Sequence, residues 1–389
     1  MRIRSIEAIP LEATFASIFG GADKVPPALL VPAAHFQRIP RRGQISTLVR
    51  ITAEDGTIGW GEAFGLPTPL AATAIVTEII APALQGAELD DPAAMQADLR
   101  AYFIALGQGA GPAMEALSGV DIALWDLRAR RAGQPLATFL GASPGPVATY
   151  ASPVGFMPTT AESAAAARGL LDQGFRAIKI KVGRGVATDA DHVAAVRDAV
   201  GPDVALMSDA NCGYAPDDAI AAARAFAASA IAWLEEPTRP DDHAALAAIR
   251  RASPIPIAGG ENEFTAEACA RLASAGAVDI LQPNIARIGG VSGLLAVGEI
   301  CARNGLRLAP HGVGTSVAVS AAIQTCRAAQ GSPLYEANRL LNPLRDQLGI
   351  HPPQLRDGQL VAIDAPGHGG EPDPAKLEDW RLRRAPVRR

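Results

Sequence analysis

The sequence predicts an α/β fold, a barrel of parallel strands preceded by a smaller α+β unit. Short apolar runs alternate with alanine-rich helical segments from Val147 onward. Each run ends on or just before a polar residue, and those residues recur at nearly constant intervals. The chain has 389 residues, whereas such a barrel needs roughly 250, so a second unit is left over.

Composition narrows the class. Hydrophobic residues make up 49% and charged residues 19%, enough for a large core and against a disordered chain. A net charge of −5 disfavours nucleic acid and anionic membranes as partners. No window approaches the roughly 18 apolar residues of a spanning helix. The opening Met-Arg-Ile-Arg-Ser-Ile-Glu lacks the apolar region of a signal peptide. Cys212, Cys269, Cys301 and Cys326 are scattered without paired spacing and read as free thiols. A cytoplasmic enzyme is the expectation.

The first unit begins with an alternating strand. Residues 45–51 are rich in β-branched side chains, Asp55-Gly56 signals a hairpin, and 57–63 return. The Gly/Pro-bearing stretch 15–42 is too long for a simple connection, and loops of that kind commonly carry function. From about 70 to 140 the pattern is helical. It is clearest over 116–132, where Leu117, Val120, Leu124 and Leu127 share a face. Ala-Ser-Pro-Gly-Pro at 142–146 reads as a linker. The expected division is 1–145 for this unit, 146–362 for the barrel, and 363–389 for a segment packing back on the first unit.

The apolar runs of the barrel are 177–182, 205–208, 232–235, 257–258, 280–282 and 306–309. Helices are expected over 161–173, 190–200, 216–228 and 241–251. Lys181, Asp209, Glu235, Glu261, Asn284 and His311 stand at the ends of the runs, separated by 28, 26, 26, 23 and 27 residues. One strand-helix unit takes about that much chain. These residues therefore occupy equivalent positions at the C-terminal ends of neighbouring strands, where barrels build active sites.

Asp209, Glu235 and Glu261 would converge on one mouth. Three carboxylates together call for a cation, and hard oxygen donors from separate strands suit Mg²⁺. A single such acid would read more simply as a cap on the following helix, but three in one register favour a metal. Lys179 and Lys181 face the same side of a strand. Two ammonium groups there should depress each other's pKa and give a base. A solvated pair would need an edge strand, which a barrel lacks. A lone histidine is more often structural, but the place of His311 in the series makes it a candidate acid/base. His192 and His243 fall in helices and read as surface residues. His35, in the long loop, is a candidate substrate contact or a surface residue.

At these residues the sequence resembles the enolase superfamily and, within it, the mandelate racemase subgroup. The stretches 47–62 and 116–141, the latter beginning Ala-Leu-Ser-Gly-Val-Asp-Ile-Ala-Leu-Trp-Asp, resemble its capping domain. Lys-Ile-Lys, Asp-Ala-Asn (209–211), Glu-Glu-Pro (235–237), Gly-Gly-Glu-Asn (259–262), Arg-Ile-Gly-Gly-Val (287–291) and Pro-His-Gly (310–312) follow in the family's order. The resemblance implies a modified (β/α)7β barrel of the TIM type with an N-terminal α+β capping domain, and a homo-oligomer. It implies Mg²⁺ on Asp209, Glu235 and Glu261, binding the substrate carboxylate and stabilising a dianionic intermediate. Lys181 and His311 become acid/bases on opposite faces of the substrate, with Lys179 tuning Lys181. Glu336, 25 residues after His311, matches the last-strand acid that hydrogen-bonds the enediolate oxygen. The early loop becomes the specificity loop over the substrate. This superfamily is a standing illustration of a Lys or His base working with Mg²⁺.

Asn284 departs from the pattern, which has aspartate paired with the histidine. Asparagine can orient the ring but adds no charge to steady an imidazolium. This disfavours a symmetric racemase and fits a one-way reaction. Asn211, a candidate substrate contact, stands where some sugar-acid dehydratases carry a histidine base, and no lysine lies near His311 as in the muconate-lactonizing branch. The stretch 334–346 resembles members acting on aldarates and their lactones. The expected substrate is a small carboxylate, a sugar acid or its lactone. The expected reaction is dehydration or cycloisomerisation to a 2-keto-3-deoxy acid. The alternatives are a racemase or epimerase of a 2-hydroxy acid, and a metal-binding barrel with weakened chemistry.

Overall fold

The computed structural model describes all residues except 34, 35, 156, 158, 332 and 384–389. Its N-terminal part is a three-stranded antiparallel sheet, with β1 (Ile3–Thr14) on β2 (Gly43–Ala53) and β2 on β3 (Ile58–Ala63). The main helices that follow are α1 (Pro69–Ile75), α2 (Pro92–Ala105) and α3 (Pro112–Arg131). The predicted face of α3 is real, since Leu117, Val120, Leu124 and Leu127 are fully buried beside Val49 and Ile51. Burial of this kind stabilises by about 1.5–3 kcal/mol per side chain. Helix and sheet meet closely because Gly61 faces Gly119; a Cβ on Gly61 would lie 1.9 Å from the Gly119 carbonyl oxygen.

From Thr149 to Asn338 the second part alternates strand and helix. The strands are β4 (Thr149–Val154), β5 (Ala177–Lys181), β6 (Ala205–Asp209), β7 (Ile231–Glu235), β8 (Ile257–Gly259), β9 (Ile280–Leu281), β10 (Arg307–Leu308) and β11 (Tyr335–Asn338). Between them run α4 (Thr160–Asp172), α5 (Val186–Val200), α6 (Pro216–Phe226), α7 (His243–Ala252), α8 (Ala266–Ser274), α9 (Gly290–Asn304) and α10 (Ser316–Ala328). All neighbouring strands pair in parallel, in the order β10-β9-β8-β7-β6-β5-β4-β11. The ring closes where Leu334 N donates to Leu308 O (3.1 Å) and Glu336 N to Pro310 O (3.1 Å). Eight strands and seven helices make the (β/α)7β barrel expected from the sequence.

Alternation along β5 shows how the sequence aims its side chains. Ile178 and Ile180 are fully buried in the core shared with the outer helices, while Lys179 enters the barrel. Inside the barrel, Tyr150, Met207, Trp233, Ala258, Ile280 and Ala309 form a separate apolar plug beneath the mouth.

Buried polar contacts bolt the two parts together. Glu62, at the end of β3, accepts from Thr315 N, Thr315 Oγ1 and Ala318 N at the start of α10. Asp121 on α3 accepts from Ser292 N (3.0 Å) and Ser292 Oγ (2.7 Å) on α9. The chain then returns. His368 N donates to Asp126 Oδ1 (2.8 Å), and Leu382 N donates to Pro10 O (2.8 Å). No helix among the described residues is long and apolar enough to cross a membrane. The four cysteines are unpaired.

Candidate active site

The strand register sets the site. Lys181 lies opposite Asp209, and Asp209 opposite Glu235. Glu261 follows β8, Asn284 follows β9, His311 follows β10, and Glu336 is the second residue of β11. Around the ring the polar groups therefore run Lys181, Asp209, Glu235, Glu261, Asn284, His311, Glu336, and only β4 separates the Glu336 strand from β5, which carries both lysines. None of the three acids caps the helix after its strand; Ala215, Asp242 and Thr265 occupy those positions.

These groups open into a cavity of about 740 Å³ lined by Lys181, Asp209, Asn211, Glu236, Glu261, Arg287, His311 and Glu336. Pro32, Ala33, Phe36 and Arg41 of the early loop line its other side. His35 lies outside the described residues.

Lys179 does lower the Lys181 pKa as the sequence suggested, but nearby carboxylates outweigh it and neither lysine is lowered overall. Lys179 Nζ is 2.5 Å from Glu235 Oε1, 3.4 Å from Glu336 Oε1 and 3.6 Å from Asp209 Oδ2. Burial pushes the Lys179 pKa down, but Glu235 and Glu336 outweigh it and hold the ammonium well above the ordinary range. Lys181 Nζ meets Asp209 Oδ2 at 2.6 Å and Asn211 Oδ1 at 2.5 Å. Burial again lowers and Asp209 raises, for a net rise. Each lysine faces more carboxylate than ammonium, and strand alternation alone could not reveal that.

Glu235 is fully buried below the cavity. Its Oε1 takes Lys179, and its Oε2 receives Gln282 Nε2 (2.5 Å) and Trp233 Nε1 (3.3 Å). Burial, only partly offset by Lys179, and repulsion from Asp209, Glu261 and Glu336 push its pKa up to about 8. Its neighbour Glu236 takes a place in the cavity wall. The chain turns there with φ +39°, accepting strain so that Glu236 swings inward, where Asn262 Nδ2 donates to Oε1 (2.7 Å). Burial, then Glu261 and Asp209, raise its pKa well above the usual range.

Among the described residues no three His, Cys, Asp or Glu side chains stand in a ready coordination cluster. The donors still fit a hard divalent cation. Asp209, Glu236 and Glu261 line the cavity with Glu235 buried beneath, and the repulsion among them marks an excess of negative charge. Asp209 remains ionised because, against the cost of burial, Lys181 and Lys179 hold its pKa low.

His311 is fixed by its neighbours. Asn284 Oδ1 receives Ala286 N (2.8 Å), and Nδ2 donates to Val313 O (3.0 Å). The two backbone partners settle which end of the amide faces the ring, so Nδ2 donates to His311 Nδ1 at 2.9 Å. Nδ1 is then an acceptor, and the neutral ring carries its proton on Nε2. Nε2 lies 3.4 Å from Glu261 Oε2 and 3.7 Å from Glu336 Oε2. Glu336 accepts from Gly312 N (2.9 Å). Despite burial, Lys179 and His311 bring its pKa down to about 2. A Cβ on Gly312 would come within 1.8 Å of the Glu336 carbonyl oxygen, so the Pro-His-Gly glycine is what lets these strands approach.

Other assignments change. His192 is buried, not superficial; burial, reinforced by Arg184, lowers its pKa to about 4. His243 is half-buried, 3.5 Å from Glu263. Arg287, within the Arg-Ile-Gly-Gly-Val motif, stacks on Phe64 at 3.8 Å, pairs with Glu115 (3.0 Å) and donates to the Glu261 carbonyl (3.2 Å). It braces the Glu261 segment against the capping helix α3.

Residues 30–141 match the mandelate racemase / muconate lactonizing enzyme N-terminal domain, and residues 162–376 match the family described as enolase C-terminal domain-like. The D-galactarolactone cycloisomerase of Agrobacterium fabrum is 35% identical over 89% of this chain and 93% of its own length. The 3,6-anhydro-alpha-L-galactonate cycloisomerase of Streptomyces coelicolor is 35% identical over 82% of this chain and 87% of its own. The crystal structure of a racemase from Streptomyces coelicolor with bound magnesium superposes with a TM-score of 0.86 at 30% identity, covering 98% of this chain and 100% of that one. Architecture, strand-end constellation and similarity agree, and the chain belongs to the enolase superfamily, in its mandelate racemase / muconate lactonizing enzyme group.

Proposed function

We propose that this enzyme removes the proton next to the carboxylate of a sugar acid or sugar-acid lactone and expels the oxygen on the neighbouring carbon, giving a 2-keto-3-deoxy acid. It acts as a dehydratase if the oxygen is a hydroxyl and as a cycloisomerase if it closes a ring. The relatives supporting this reading are cycloisomerases of sugar-acid derivatives.

Asp209, Glu235 and Glu261 are the residues that would hold Mg²⁺, with Glu236 beside them. Bound there, Mg²⁺ supplies positive charge that stabilises the substrate carboxylate as it gains electron density. Lys181 is the base. Asp209 holds it as an ammonium in this structure, so it becomes active once that carboxylate turns to another cation, while Asn211 keeps Nζ in place as a neutral acceptor. Lys179 neutralises Glu235 and Glu336 from below.

The observation that carries the reaction class is the Asn284–His311 hydrogen bond. It leaves the Nε2 proton of His311 available to the substrate. In the elimination Lys181 takes the α-proton, the bond from the β-carbon to oxygen breaks with Nε2–H of His311 donating a hydrogen bond to the departing oxygen, and that oxygen leaves with the proton Lys181 took up. A racemase would need His311 to accept a proton at that same nitrogen. Glu336, ionised here, accepts rather than donates until it gains a proton.

The division at 145/146 and 362/363 and self-association of the chain belong to this proposal. Limited proteolysis and sedimentation check them. The chemistry is tested by incubating the protein with Mg²⁺ in D₂O against sugar acids, aldarates and their lactones and following each by proton NMR. Loss of the α-proton with growth of a deuterated 3-deoxy methylene supports elimination. A second diastereomer without elimination would move the assignment to epimerase.

A further inference from the structure

Arg41 stands apart from the other cations around the cavity. Lys181 is paired with Asp209 and Arg287 with Glu115. Among the described residues Arg41 has no carboxylate partner, although it lines the same cavity as Lys181 and His311. Its Nε is buried and meets no acceptor. Burial lowers its pKa, and no neighbouring charge offsets that cost. A guanidinium left in this condition is unfavourable unless an anion arrives.

The side chain is also held in place. Its Nη2 donates to Gln44 Oε1 (2.7 Å), and Gln44 Nε2 donates to Leu341 O (2.7 Å) on the segment after β11. The rings of Phe15 and Phe36 lie 5.8 Å from its Cζ, and its backbone N donates to Leu30 O (2.8 Å). Arg41 sits on the capping side and the carboxylate cluster on the barrel side. A ligand touching both carries an anionic or strongly accepting group at each end.

We infer that Arg41 receives a second carboxyl group of the substrate, free or lactonised, at the end remote from the reacting carbon. The substrate is then a sugar diacid or its monolactone rather than a sugar monoacid. The planar fork of a guanidinium suits carboxylate oxygens, and Gln44 leaves other donors of the fork free to meet them. This rests on the proposed sugar-acid chemistry and narrows its substrate class.

The test compares a six-carbon aldarate with the matching aldonate, by equilibrium binding in the presence of Mg²⁺ and by steady-state kinetics, for the wild type, Arg41→Met and Arg41→Lys. The wild type should bind the diacid roughly 10- to 100-fold more tightly than the monoacid. Arg41→Met should erase that preference by weakening the diacid alone, and Arg41→Lys should keep part of it. A thermal melt of each variant shows that the fold is retained. Equal weakening of both ligands, or a wild type that does not discriminate, would overturn the inference and reduce Arg41 to a brace for the loop. If the binding preference follows Arg41 but neither acid nor its lactone is turned over, the inference stands and the proposed reaction fails. If the monoacid is turned over with no effect of Arg41, the reverse holds.

Discussion

Asn284 donates its side-chain N–H to Nδ1 of His311 at 2.9 Å. An aspartate in that place would accept from the ring, and the imidazole proton would move to the nitrogen away from the substrate. One atom, amide nitrogen for carboxylate oxygen, thus sets whether the neutral ring meets the substrate as a hydrogen-bond donor or as an acceptor. Asn284→Asp should cut the elimination rate roughly 100-fold, within the range of a lost hydrogen-bond donor to developing negative charge, while raising α-proton exchange in D₂O. An unchanged ratio of elimination to exchange would break the link between this residue and the direction of the chemistry.

His311→Asn should separate the two halves of the reaction. Lys181 can still remove the α-proton, so exchange with solvent deuterium persists. Elimination should fall by roughly 10²- to 10³-fold for want of the Nε2 hydrogen-bond donor. Loss of exchange together with elimination would place His311, not Lys181, at the α-proton.

The spacing of polar residues made much of this legible. Lys181, Asp209 and Glu235 recur at the period of a strand-helix unit, and the strand register sets them side by side. The same logic located Glu261, Asn284 and His311. It failed where local geometry departs from the period. Glu236 enters the cavity only because its backbone adopts a positive φ, and a strand pattern assigns it to the opposite face. β4 and β11 do not read as apolar runs, since β4 carries Pro153 and β11 carries Glu336 and Asn338. The lysine environment depends on acids 28 to 157 residues away in the chain, which only the closed ring brings near. Arg287 stands in a motif the sequence displays, but its pairing with Glu115 and the place of Arg41 on the cavity appear only once capping unit and barrel come together.

Glu62 joins those two parts. It is buried and accepts from four donors, Ser46 Oγ, Thr315 N, Thr315 Oγ1 and Ala318 N. Glu62→Ala strands these donors and should cost about 3 kcal/mol, since each unsatisfied buried group is expensive. Glu62→Gln, which keeps an acceptor, should cost less. Urea unfolding measures both, and a shift below about 0.5 kcal/mol for the alanine variant would be within surface-mutation noise and contradict the role.

His192 gives the fold a definite acid sensitivity. Burial, then Arg184, lowers its pKa from 6.5 to about 4. The folded state therefore binds fewer protons than the unfolded state between those values, and stability falls as pH drops from 6.5 through 4. The full effect is about 3 kcal/mol. His192→Gln cannot titrate, so its stability should decline less across that window and match the wild-type slope above pH 7. Parallel profiles from pH 7 to 4 would show that another group is responsible.

The most direct test of the account is ¹⁵N NMR of the histidine-labelled enzyme with Mg²⁺, at a pH where the His311 ring is neutral, assigned by comparison with His311→Asn. The proton is predicted on Nε2, with Nδ1 showing the shift of an unprotonated, hydrogen-bonded nitrogen. A proton on Nδ1 would contradict the account, because His311 would then face the substrate as a base and the one-way elimination would lose its donor.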